Sequence, residues 1–250
     1  SFYLDRNSQQ RRESGYRSAT RDVEKLIKQL EEDQIDSLIL DLRGNGGGIL
    51  SEAVSITGLF IDSGPVVQKR DTFGDVIVLR DKDQRVVYEG PLTVIIEGAS
   101  ASASEIVSGS VQAHGAGIIV GQRSWGKGSV QTVHNIGSGD LALVKLTTQF
   151  YRLPPTEDGP GRLVHKREGS TDWGVVPDIE VRMSPEQIST SNALRRDSQM
   201  LILGSDNADI PNINDLLTEG LDPQLETALL LLRANALAET YSEFRHARLT

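Results

Sequence analysis

Two short stretches concentrate the residues able to do chemistry, Ser100-Ala-Ser-Ala-Ser-Glu105 and Trp125-Gly-Lys-Gly-Ser-Val-Gln131. The chain has no cysteine and four histidines, so a thiolate nucleophile is excluded and imidazole bases are few. A serine hydroxyl needs a base before it becomes a useful nucleophile. His114 lies twelve positions after Ser102 (114 − 102 = 12). On the same helix that is roughly 18 Å at 1.5 Å per residue, out of reach. His134, His165 and His246 read as ordinary surface or boundary residues. A lysine can replace histidine if it is neutral, which requires loss of hydration to lower its pKa by several units. Lys127 is the candidate, because Gly126 and Gly128 let its backbone approach other groups closely. Trp125 and Val130 are expected to give it apolar cover.

A helix starting within 101–104 would offer unpaired N–H groups and its positive dipole end to a developing oxyanion. A second donor is expected from Gly46-Gly-Gly48. Composition and spacing do not choose among Ser100, Ser102 and Ser104, and a serine cluster can also be a plain helix cap.

The elements that must position these groups follow from periodicity. Val23, Leu26, Ile27 and Leu30 recur at helical spacing and predict an amphipathic helix from Ser18 to Glu32. Ser37 to Asp41 reads as a strand, passing through Gly44-Asn-Gly-Gly-Gly48 into a helix over 51–61. That unit marks an α/β layered domain. Short β-branched runs at 66–68, 76–79 and 85–88 suggest an antiparallel excursion. Leu92 to Ile96 is a buried strand feeding the serine cluster and a helix to about Gln112. Strands are expected at 117–120, 129–133 and 143–151, and at 175–181 as a terminal strand or strand edge. Pro154 to Asp172, rich in proline, glycine and charge, reads as an exposed loop. Residues 1–182 form the expected core and 183–221 a polar linker or short helices. Residues 222–250 form a final helix and tail, opened by Asp222-Pro223.

Composition narrows the partners. Asp and Glu outnumber Lys and Arg by 35 to 26, a net charge of −9, which argues against nucleic acid and anionic membrane surfaces. No apolar run approaches the ~20 residues of a spanning helix. The opening residues Ser1 to Asp5 read like mid-strand, so a fragment is expected, with targeting information upstream. Two motifs mislead. Gly121 to Gly128 resembles a phosphate-binding loop, but Gly128 stands where Ser or Thr must hold magnesium. The Gly44–Gly48 loop lacks the last glycine of a dinucleotide loop, since Ile49 occupies it.

Taken together, Asp41-Leu-Arg-Gly-Asn-Gly-Gly-Gly48, the serine cluster, Gly126-Lys-Gly-Ser-Val-Gln131, Gly64-Pro-Val-Val-Gln68 and Gly174-Val-Val-Pro-Asp-Ile179 resemble the tail-specific, or carboxy-terminal processing, serine proteases. The resemblance covers about residues 1–182 in consistent order. It implies a crotonase-like (ClpP/crotonase-type) α/β protease core, here with a C-terminal helical extension. It also implies a Ser–Lys dyad with the serine 25 positions before the lysine, which selects Ser102 (127 − 25 = 102). Lys127 then matches the general base, and Gln131 the residue orienting it. Ala103 and Gly48, with Gly47 as the alternative, match the oxyanion hole. No cofactor or metal is implied. Protein substrates recognised by their C-termini, a PDZ domain N-terminal to this chain and an extracytoplasmic, periplasmic or membrane-associated location are implied. Ala113, Gly46, Glu97 and Trp125 depart from the common pattern without touching the dyad. Two other readings are weighed against this one: a catalytically silent peptide-binding relative, and a crotonase-type acyl-CoA enzyme.

Overall fold

Ser18 caps the helix that the periodicity predicts: its hydroxyl accepts the Arg21 N–H, and α2 (Ala19–Glu32) follows a short α1 (Arg6–Gln10). The computed structural model describes residues 1–250 apart from 12, 14, 83–84, 137–141, 156–158, 200–216, 218–219 and 248–250. The apolar stripe of α2 is only partly used, because Ile27 is buried while Leu26 is 57% exposed. The strand β1 (Leu38–Asp41) then runs into the glycine loop and α3 (Leu50–Gly58). Glu52 of α3 is buried and accepts Ser18 Oγ–H at 2.7 Å and the Thr20 N–H and hydroxyl, both at 2.8 Å. This pins the start of α2 to α3.

Two sheets result. β1, β4 (Leu92–Ile96), β5 (Ile118–Gly121) and β8 (Ile179–Glu180) form a parallel sheet in the order β1-β4-β5-β8. Every residue of β4 is buried, as expected for a central parallel strand covered on both faces. The second sheet is antiparallel, with β3 (Val76–Asp81), β2 (Gly64–Asp71), β7 (Ala142–Arg152) and β6 (Ser129–Ile136) in the order β3-β2-β7-β6. The helix α4 (Ala103–Ala113) touches β5 of the first sheet and β2 of the second. That position explains its small residues: a Cβ on Gly109 would lie 2.4 Å from a Leu153 methyl. The hydroxyls buried with it are satisfied, Ser108 on the Ser104 carbonyl and Ser110 on the Val66 carbonyl.

Several expectations need correction. Residues 85–88 form no strand, because Val87 and Tyr88 both direct their N–H groups to the Leu59 carbonyl instead. The strand expected over 175–181 shrinks to Ile179–Glu180. The 154–172 segment is not simply an exposed loop. Val164 is fully buried, and Leu163 bridges Arg152 at the end of β7.

Beyond the core, α5 (Pro185–Gln199) and α6 (Pro223–Ala247) fall within the expected linker and tail, while 200–216 lie outside the described residues. The helix α6 packs on β4 and β5 through buried Ala228 and Leu232. At its N-cap, burial alone would raise the Asp222 pKa, but the hydrogen bond and charge of Arg43 outweigh it and hold the carboxyl below its ordinary value. A depressed folded-state pKa stabilises the fold above the ordinary carboxylate range. That contribution fades only as the pH falls through the lowered value.

Candidate active site

Three carbonyl and amide ties lock the glycine loop against the serine loop. Ser100 Oγ donates to the Leu42 carbonyl (2.8 Å), Ser104 Oγ to the Asn45 carbonyl (2.7 Å), and Gly44 N–H to Glu97 Oε1 (2.7 Å). Ser100 and Ser104 are therefore fully buried, with hydroxyls committed to backbone. Ser102 differs: it is half-buried, stands at the N-cap of α4 and has φ 59° and ψ −113°. Positive φ at a residue with a side chain is strained backbone, held only where its surroundings over-determine it.

The glycine loop lies directly against that bend. A Cβ on Gly47 would sit 2.7 Å from Ser102 Cβ and 2.9 Å from Ala103 N, so no other residue type fits without displacing the serine. Gly48 is pressed from the far side, since its Cβ would lie 2.2 Å from the Phe2 carbonyl oxygen. Gly47 N–H is spent on Asn45 Oδ1 at 3.0 Å. By contrast, Gly48 N–H and Ala103 N–H donate to no acceptor among the described residues. Of the donors expected from sequence, these two are open.

Glu105 joins the two stretches. Fully buried, it accepts Ser102 N–H (2.8 Å), Ser124 Oγ–H (2.5 Å), Gly126 N–H (2.6 Å) and Lys127 N–H (2.8 Å). Four accepted bonds and none donated is the pattern of an ionised carboxylate. One side chain thus sets the serine backbone and the lysine backbone relative to each other. The Ser102-x-x-Glu105 spacing is that of a capping box, a local signal in the sequence for this role.

Ser102, Lys127 and Gln131 line one cavity of about 220 Å³, together with Gly48 and Ala103. Leu50, Ile106, Val130 and Tyr151 make its apolar walls. A larger cavity of about 720 Å³, beside Gln112, Pro160 and Arg162, holds none of these groups. A bulge between Val130 and Gln131 interrupts the β6–β7 register at the glutamine, the kind of irregularity that re-aims a side chain. No hydrogen bond joins Ser102, Lys127 and Gln131 to one another among the described residues, and apo sites are often slack in this way.

Of the apolar cover expected for the lysine, Val130 is present in the cavity wall and Trp125 is not. Lys127 is exposed, and Trp125, which was to shelter it, is itself 62% exposed. Tyr151, which sequence reasoning missed, is buried and donates its hydroxyl to the Lys127 carbonyl. Burial pushes its pKa well above the ordinary phenol value, opposed by a hydrogen-bond interaction with Ser102 and reinforced by the Glu105 charge. Tyr151 thus stays protonated beside the serine. No histidine among the described residues lines this cavity. His114 caps α4 and bonds the Pro65 carbonyl at 2.8 Å. His165 packs its ring on Phe150, and burial, then the Arg167 charge, lower its pKa.

The fold is one shared with solved C-terminal processing proteases. A solved structure of a photosystem II D1 C-terminal processing protease, 29% identical, matches it with a TM-score of 0.57 over 65% of this chain and 39% of that one. Mature CPAF, 14% identical, shares the fold with a TM-score of 0.55 over 74% of this chain and 47% of its own. The peptidase family S41 model matches residues 5–181, and the chain belongs to that family. A tail-specific protease of Haemophilus influenzae is 44% identical over 147 residues, 56% of this chain and 21% of that protein. A carboxy-terminal-processing protease of Bartonella bacilliformis is 37% identical over 169 residues, 67% of this chain and 35% of that protein. The chain therefore corresponds to about a fifth to a third of these relatives' lengths. The crotonase-like α/β core expected from sequence, with its helical C-terminal extension, is the architecture found.

Proposed function

We propose that this chain is the catalytic core of a serine endopeptidase that cleaves protein substrates recognised by their C-terminal residues. One observation carries the reading: a half-buried serine at a helix mouth shares a small cavity with Lys127, Gln131 and two unengaged backbone N–H groups. Neutral Lys127 takes the Ser102 proton as Ser102 Oγ attacks the scissile carbonyl, and Gln131 holds the amine in place. Ala103 N–H and Gly48 N–H receive the oxyanion. The lysinium then gives its proton to the leaving amine. Water, deprotonated by the same lysine, opens the acyl-enzyme. Because Lys127 is exposed in the free chain, its desolvation comes from the peptide that fills the groove.

No metal or cofactor takes part in these steps. A PDZ domain N-terminal to this chain and an extracytoplasmic location, in the periplasm or at a membrane, complete the proposal, as the sequence resemblance implies. Among the described residues no helix is long and apolar enough to cross a membrane. The exposed amine also favours a second reading, a silent relative that only binds peptides.

One experiment separates the two. A fluorophosphonate probe is expected to label the protein on the Ser102 peptide by mass spectrometry, and Ser102→Ala is expected to lose both label and cleavage of a peptide with an apolar C-terminus. Labelling that persists in Ser102→Ala would remove the assignment. A wild-type protein that binds the peptide but neither labels nor cleaves would be the silent relative.

A further inference from the structure

We propose that Asp222, at the start of α6, is a positioning residue for the oxyanion loop, acting through Arg43. Its catalytic consequence rests on the serine-peptidase reading, while its structural consequence does not. The family match ends at residue 181, so α5 and α6 lie outside it, yet they reach back to the turn that opens the glycine loop.

The contact is a buried brace. The Arg43 side chain is 1% exposed, and its guanidinium divides between two carboxylates. Nε and Nη2 bond Asp41, the latter at 2.7 Å, while Nη1 bonds Asp222 Oδ1 at 2.7 Å and Gln224 Oε1 at 3.3 Å. Asp222 is itself fully buried, and its other oxygen accepts Ser191 Oγ–H of α5 at 2.9 Å. Arg195 of α5 adds a second cation to Asp41 at 2.8 Å. Two aspartates and two arginines make the cluster neutral, and Asp222 is the half of the anionic charge supplied by α6.

What the brace holds is the loop's first turn. Asp41 Oδ1 accepts the Arg43 N–H at 2.9 Å, and Asn45 N–H bonds the Leu42 carbonyl at 3.2 Å. The Asn45 carbonyl takes Ser104 Oγ–H, and its side chain takes Gly47 N–H. A displacement of Arg43 is therefore passed along the backbone of 41–48, whose turns these hydrogen bonds tie as far as Gly47, the neighbour of Gly48. Stability alone is a poor reason for this arrangement, since well-packed apolar residues commonly serve as well as a buried ion pair. A charged fork that fixes direction at the base of a catalytic loop is a better one.

The test compares Asp222→Ala, Asp222→Asn and Ser191→Ala with wild type in the full protein. Turnover by Asp222→Ala is expected to fall about 10- to 100-fold, the scale of a misplaced oxyanion donor. KM is expected to stay nearly unchanged, and affinity for a peptide aldehyde to fall in step with kcat. Amide hydrogen exchange over 44–48 is expected to quicken in each variant, with that of β4 as in wild type. A folded Asp222→Ala with wild-type turnover, or with unchanged exchange over 44–48, overturns the proposal. So does a loss expressed in KM alone. If Asp222→Ala does not fold, Asp222→Asn and Ser191→Ala carry the same two outcomes at smaller size. If the wild-type protein proves to have no peptidase activity, the functional reading fails, and the exchange measurement still decides this one.

Discussion

Replacing Lys127 by alanine or by arginine is expected to lower peptide cleavage on the order of 10³-fold in both cases, the worth of a positioned general base. The pair of substitutions matters more than either alone. Alanine removes amine, bulk and charge together. Arginine keeps bulk and charge but cannot give up its proton. If the lysine served only as a positive charge near the oxyanion, arginine would preserve much of the rate. If it is the base, arginine is as inert as alanine. Steady-state rates on wild type and both variants check this, and an arginine variant retaining a tenth of the activity would remove Lys127 from the role.

Glu105→Gln is the second large effect expected, and it should appear in both stability and rate. The side chain is fully buried and accepts four hydrogen bonds, from Ser102, Ser124, Gly126 and Lys127. An amide keeps the shape but replaces one acceptor by a donor that faces N–H groups. At least one backbone donor is then left without a partner, at about 1–3 kcal/mol. Ser102 and Lys127 are both held through this carboxylate, so their separation loosens. A loss of about 10²-fold in kcat is expected, the scale associated with misplacing reacting groups by about 1 Å. Thermal melting and kinetics on the same preparation test both parts. A variant that melts lower but turns over normally would make Glu105 a packing residue only.

The sequence carried the local units well. The run into the glycine loop, the buried strand β4 and the serine-rich α4 are each set by neighbours in the chain. Lys127 stands out by its flanking glycines, whereas Ser102, Gln131, Gly48 and Ala103 follow only from the family resemblance, and the fold lines one cavity with all five. Long-range ties were not legible. Arg43 and Asp222 are 179 positions apart, and nothing in either local pattern announces the other. Tyr151 looked like any aromatic residue in a strand until the turn of β7 brought it beneath Lys127. Trp125 is 62% exposed and gives the lysine no shelter, a side-chain direction that local composition does not encode. Residues 85–88 show β-branched propensity overridden by a better offer, the Leu59 carbonyl.

The torsion at Ser102 has a consequence for evolution and for engineering. A side chain held at φ 59° costs the native state free energy that glycine would not, of order 1 kcal/mol. Ser102→Gly is therefore expected to melt at a higher temperature than Ser102→Ala, which keeps the awkward torsion and differs only in lacking the hydroxyl. Calorimetry on the two inert variants would reveal the difference. Any selection of this molecule for ruggedness alone would tend to replace Ser102 first.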